Sequence, residues 1–157
     1  MDASNDPVAR LAKYWFRAKL MHDLMHGLTH IILEDNDRDL DAIHRHGDWW
    51  EFETFLTYWL SGLFVVVEGF NKLKLKDARV QRLFKEHIRY LKAIRHETYH
   101  FVVALDADAG AVLKQMNWAE ELHEAIGEHI REYISKKALE ELNEQSVRKR
   151  PRKKKAP

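Results

Sequence analysis

Cysteine is absent from this chain, which rules out a disulfide framework and a thiolate metal site and fits a reducing compartment. Proline and glycine are scarce, three and six in 157 residues, so neither a flexible low-complexity chain nor a collagen-like one is in view. Long hydrophobic runs are also missing. The longest uncharged stretch, residues 54–67, has fourteen residues, whereas a bilayer span needs about 20. The opening residues, MDASNDP, are acidic and polar, unlike the basic and then apolar start of a signal peptide. These absences predict a soluble, cytoplasmic protein with no membrane partner. What is present, 45% hydrophobic residues over a one-domain length, is enough for a real core.

The net charge of +1 conceals an uneven distribution. Arg148, Lys149, Arg150, Arg152, Lys153, Lys154 and Lys155 place seven positive charges on the last ten residues, which leaves residues 1–147 at −6. A segment of that composition has nothing to bury and does not fold alone. We expect a single domain over residues 1–145 and a disordered basic tail over 146–157. Two roles suit such a tail: it solubilises, or it tethers nucleic acid by neutralising phosphates.

Hydrophobic periodicity predicts four main helices and no strand. Asp6 before Pro7 reads as a cap followed by a proline in the first turn. The stripe that follows is Leu11, Tyr14, Trp15, Ala18, Met21, Met25, Leu28 and Ile32, ending at EDNDRD (34–39). A short helical piece is expected over 40–45. Asp48 should cap a second helix reaching about Lys72. That helix is apolar nearly all round (Trp49, Trp50, Phe52, Phe55, Leu56, Tyr58, Trp59, Leu60, Leu63, Phe64, Val65), a pattern that calls for burial on most sides. Asp77 should cap a third, with Val80, Leu83, Phe84, His87, Ile88, Leu91 and Ile94 inward. Residues 104–112 read as a loop, and Asn117 with Glu120 as the cap of a last helix, with Trp118, Leu122, Ala125, Ile126, Ile130, Tyr133 and Ile134 as its stripe. The expected architecture is an all-α bundle of four main helices.

The stretch AIRHETYHF (93–101) admits three chemistries. His96-Glu97-Thr98-Tyr99-His100 is an HExxH, in which one helix face presents two imidazoles to zinc and a carboxylate to its water. The longer zincin patterns do not continue: Val103 stands where a glycine is required, and no strand is expected to bind a substrate. Glu97 with His100 is a Glu-x-x-His, the di-iron pair of helix bundles, and Glu120 with His123 is a second. The two pairs start only twenty-three positions apart, too close for the helix that normally lies between. A separate row, His22, His26 and His30, rises along one face of the first helix and could chelate a metal with His96 and His100 beside it, although a polar stripe bordering an apolar face has the same spacing. His87, on an apolar stripe, reads as a core histidine.

The third chemistry rests on Arg95, His96 and His100. Three arginines here have a histidine five positions on: Arg17 with His22, Arg82 with His87, and Arg95 with His100. Arg95 alone is followed by a residue of the Asn, Asp or His class. Arg95-His96-xxx-His100 resembles the RφxxxH motif of the HEPN family, and its placement near a helix end, with one amphipathic helix to come, is similar too. The resemblance implies an all-α domain that dimerises around a basic cleft, often a metal-independent endoribonuclease with RNA as partner and no cofactor. It implies catalytic roles for Arg95, His100 and His96, and often a toxin or phage-defence setting with an antitoxin partner. Some family toxins carry a tyrosine, modified by the antitoxin, two residues after the histidine. That position here is Val102. The chemistry fits the residue types: an imidazole titrating near neutrality can take the proton of a 2′-OH, and a guanidinium can bridge two phosphate oxygens. Residues five apart on an ideal helix point about 140° from each other, so Arg95 and His100 converge only at a helix break or across a dimer. A non-catalytic helical RNA-binding or interaction domain and a His-rich metal-binding bundle are the competing readings.

Overall fold

The computed structural model describes residues 6–34, 47–99 and 116–148. Within these the chain is four helices with no strand: α1 (Pro7–Glu34), α2 (Gly47–Lys72), α3 (Ala78–Tyr99) and α4 (Asn117–Arg148). The fold class is the expected all-α bundle. The expected pieces at 40–45 and 104–112 lie outside the described residues.

Among the described residues, the starts of α1, α3 and α4 and the end of α2 each have a local cause. Asp6 caps α1, its Oδ1 accepting from the Val8 and Ala9 amides at 2.9 and 3.4 Å. Asp77 does the same for α3, accepting from Arg79 and Val80 at 2.9 and 3.1 Å. α2 begins at Gly47, one residue before the expected cap at Asp48. Its other end closes as a Schellman motif. Leu75 N–H donates to the Phe70 carbonyl at 3.1 Å and Lys74 N–H to the Asn71 carbonyl at 2.9 Å, with Lys74 at φ 56°. α4 departs from the expected Asn117 cap. The Met116 carbonyl accepts from the Ala119 and Glu120 amides at 2.8 and 3.2 Å, so the buried Met116 stands at the capping position and Asn117 is the first, exposed, helical residue. At its far end α4 continues to Arg148, three residues into the stretch expected to be tail.

The helices run up and down, each antiparallel to its chain neighbour, and α4 closes the ring against α1. α1 and α2 pack closely because small residues meet in register. A Cβ on Gly62 would lie 3.2 Å from the Ala18 Cβ, and one on Gly69 would lie 2.6 Å from Leu11 Cδ1. One apolar core draws on all four helices, with Trp59, Leu60, Leu63, Phe70, Leu91, Leu122 and Ile126 sealed from solvent. Burying side chains of this size stabilises by about 1.5–3 kcal/mol each.

Four of the residues expected to be buried do not reach that core. Tyr14, Ile134 and Trp50 are exposed, and so is Tyr58 on the helix expected to be buried on most sides. Four helices in a ring leave each one an outward face, and α2 turns Trp50, Glu51, Glu53, Thr54 and Tyr58 to it.

Candidate functional site

Lys92, Arg95, His96 and Tyr99 occupy one face of the last two turns of α3, following the i, i+3, i+4, i+7 rule. With Phe64 and Glu68 of α2 they line an open cleft of about 350 Å³, a size at which small-molecule sites begin. The Arg95 guanidinium lies over the Phe64 ring at 5.2 Å and faces the Glu68 carboxylate at 3.9 Å. Tyr99 meets Tyr58 edge to face at 6.2 Å. Both tyrosines are largely exposed, at 58% and 45%.

Thr98, inside the HETYH motif, faces the other way. Its hydroxyl donates to the Ile94 carbonyl at 2.8 Å and accepts from the fully buried Ser61 hydroxyl at 2.8 Å. This pair pins the end of α3 to α2 and satisfies the buried serine. It thereby holds Arg95 and His96, which flank the same turn, on the cleft side.

The structure brings Arg95 and His96 together. His100 lies outside the described residues, as do Val102 and the tail from Lys149 onward; Arg148 is the last residue of α4. The cleft sits at the C-terminal end of α3, beside the N-terminal end of α4. The 32 residues of α4 span about 48 Å, so Arg148 leaves the bundle at the end away from the cleft. Spacing alone could have found Lys92 and Tyr99. Phe64 and Glu68 come from another helix, and no pattern along α3 announces them.

The histidine-rich side is the opposite one, where α1 meets α4. His22 and His26 lie beside Glu120 and not beside His96. His123 is buried, its ring lying between Trp15 and His22 at 5.1 and 5.3 Å. Its Nδ1 accepts from the Trp59 indole at 3.2 Å, and its Nε2 has no hydrogen-bond partner among the described residues. Burial pushes its pKa down to about 4, helped by the neighbouring His22. Burial also lowers the pKa of His22, with His26 adding to the effect. His87 is half-buried and stacks on Trp118 at 4.1 Å, so it packs at the edge of the bundle and not in the core position expected of it.

No protein-family profile matches the chain, and no curated protein or solved structure matches it either.

Proposed function

We propose that this chain is a HEPN-like, metal-independent endoribonuclease acting as a homodimer, with the α2–α3 cleft as its phosphate site. The observation that carries the reading is the convergence of Arg95, His96 and Lys92 on one open cleft beside Tyr99. The guanidinium would grip a phosphate, and Lys92 would add a positive charge. The His100 imidazole would take the 2′-OH proton. The resulting alkoxide attacks phosphorus, the P–O5′ bond breaks, and the departing 5′-oxygen takes a proton from a second imidazole. The products are a 2′,3′-cyclic phosphate and a 5′-hydroxyl, with no metal in the balance. His96 would position the phosphate or serve as that acid.

The same geometry supports a dimer. α3 is helical through Tyr99, so the Arg95 side of the helix is set, and a second subunit offers the natural opposite wall. Trp50 and Tyr58, two turns apart on α2, and Tyr99 form an exposed aromatic strip that reaches the cleft. Such a strip suits an interface. The Arg95–Glu68 contact supports the rival reading, a non-catalytic helical domain in which Arg95 only bridges helices.

Cleavage of a mixed-sequence RNA in excess EDTA tests the proposal. Persistent cleavage that leaves 2′,3′-cyclic ends supports it. Loss of activity on chelation from a chain that circular dichroism shows to be still folded, with recovery on added zinc, would overturn it.

A further inference from the structure

We propose that His22, His26 and Glu120 form a binding site for a zinc-type divalent ion that clasps the first helix to the last. The site stands apart from the α2–α3 cleft and does not depend on the ribonuclease reading.

The argument begins with helix geometry. His22 and His26 are one turn apart, so their rings share a face of α1, and their Nε2 atoms lie 3.1 Å apart. Glu120 comes from the first turn of α4 and places Oε1 3.2 Å from the Nε2 of His26. The ligand atoms of all three residues fall within 4.8 Å of one another. Zinc bonds of 2.0–2.2 Å at tetrahedral angles put neighbouring ligand atoms roughly 3.3–3.5 Å apart. The two short separations are within a few tenths of an ångström of that.

Hydrogen bonding alone serves this cluster poorly. A ring nitrogen carries either one proton or one lone pair. If the Nε2 of His26 is protonated, its single N–H must be shared between the imidazole and the carboxylate. If it is not, two lone pairs face each other. A cation at the centre satisfies all three donor atoms at once.

The surroundings prepare His22 as a ligand. Its Nδ1 faces Asp23 Oδ1 at 3.6 Å, and Asp23 is held by Lys19 at 2.6 and 2.8 Å. A carboxylate charge beside the far ring nitrogen favours the proton there and leaves Nε2 as the lone pair facing His26 and Glu120. The His22 ring is further fixed by the edge contact with Trp59 at 4.5 Å and by stacking on buried His123. His26 and Glu120 are about half exposed, so an ion has a route in and a water can fill the fourth position. Two imidazoles and one carboxylate, with no thiolate in the chain, suit zinc and its first-row neighbours better than calcium or magnesium.

The test is calorimetric titration of the chelator-stripped full chain with Zn²⁺, alongside thermal melts and visible spectra of the Co²⁺ form. One ion per chain, an upward shift in melting temperature and a tetrahedral cobalt spectrum are expected. His26→Ala and Glu120→Ala change half-exposed side chains, so the fold should survive, and each should weaken binding by at least about tenfold. Circular dichroism confirms the fold of each variant. Zinc binding that is unchanged in both variants, or undetectable in the wild-type chain, overturns the site. EDTA-resistant RNA cleavage by His26→Ala is a separate readout, so either idea can fail without the other.

Discussion

Trp59 donates its indole N–H to Nδ1 of His123 at 3.2 Å, and both rings are buried. The bond fixes the tautomer: neutral His123 carries its proton on Nε2, where no acceptor waits among the described residues. Protonating Nδ1 would break the bond and place a charge in the core. The folded pKa of about 4 therefore lies below the ordinary 6.5. Between those values the unfolded chain binds the extra proton, so stability is fully present above pH 6.5 and falls as pH drops towards 4. His22, also lowered, adds to the loss in the same direction. The His123 share is about 3 kcal/mol at most. Urea unfolding in EDTA at pH 7 and pH 5 should show the drop, and His123→Phe should flatten it. A wild-type chain equally stable at both values would contradict the buried neutral imidazole.

Asp6 does two jobs. It caps α1 and pairs with Lys137 of α4, whose hydrogen bond is the main reason its carboxyl is held below the usual value, with the Val8 and Ala9 amides assisting. This stability is present above the unfolded pKa near 4 and is lost as pH falls through the folded value. Asp6→Ala should cost about 1 kcal/mol or more in urea unfolding at neutral pH, since the cap alone is of that size. Asp6→Asn should keep the cap and lose only the ion-pair share.

Gly127 is held by crowding. A Cβ there would stand 2.5 Å from Cζ2 of Trp15, whose own indole N–H is tied to the His123 carbonyl at 3.1 Å. Alanine would gain up to about 1 kcal/mol of helix propensity and lose about 1–3 kcal/mol to overpacking. Gly127→Ala should therefore be net destabilising. Gly27, with open space around its Cβ position, should respond in the opposite direction.

Lys74 closes α2 where the expected helix end near Lys72 places it, without the usual glycine signal. It holds the left-handed conformation that ends α2, a place where glycine is the usual signal, so the turn is invisible to a search for glycine. Lys74→Gly should stabilise by about 0.5–1 kcal/mol. Asp6 and Asp77, by contrast, announce their helices plainly, because a short acceptor before an apolar period has one good use. The inward stripes were legible for the same reason. Tyr14, Trp50 and Tyr58 were not, since composition cannot say which arc of an apolar helix the bundle leaves uncovered. At the sites, residues on a single helix could be grouped from spacing. The pairings of His26 with Glu120 and of Arg95 with Glu68 join residues 94 and 27 positions apart and exist only once the helices pack.

The proposed dimer rests on the exposed aromatics of α2 and α3. If Trp50, Tyr58 and Tyr99 are its interface, light scattering at micromolar concentration should give about twice 18.7 kDa. Tyr58→Glu, a charge placed in that strip, should return the monomer and abolish cleavage together. A wild-type monomer at every concentration would remove the composite site.

Glu68 separates the two readings of Arg95. At 3.9 Å, with both side chains partly exposed, the pair is worth no more than about 1 kcal/mol and leaves the guanidinium open to a competitor. If the cleft binds phosphate, Glu68 is that competitor. Glu68→Gln should then tighten binding of a short RNA by up to about fivefold, the factor 1 kcal/mol corresponds to, and barely change stability. Arg95→Ala should lower EDTA-resistant cleavage by about 10² to 10³, on the scale of losing one charge-stabilising donor. Arg95→Lys should not restore it, because a point charge cannot reproduce the planar fork. His100→Ala should fall by about 10² to 10⁴, the usual cost of a lost general base. The tail belongs to the same test. Arg148 ends a helix about 48 Å long on the far side from the cleft, so removing residues 148–157 should weaken and desalt-sensitise the binding of long RNAs while a dinucleotide is cut as before. If Glu68→Gln instead destabilises the fold and leaves RNA affinity unchanged, Arg95 is a bridge between helices and the cleft is not a phosphate site.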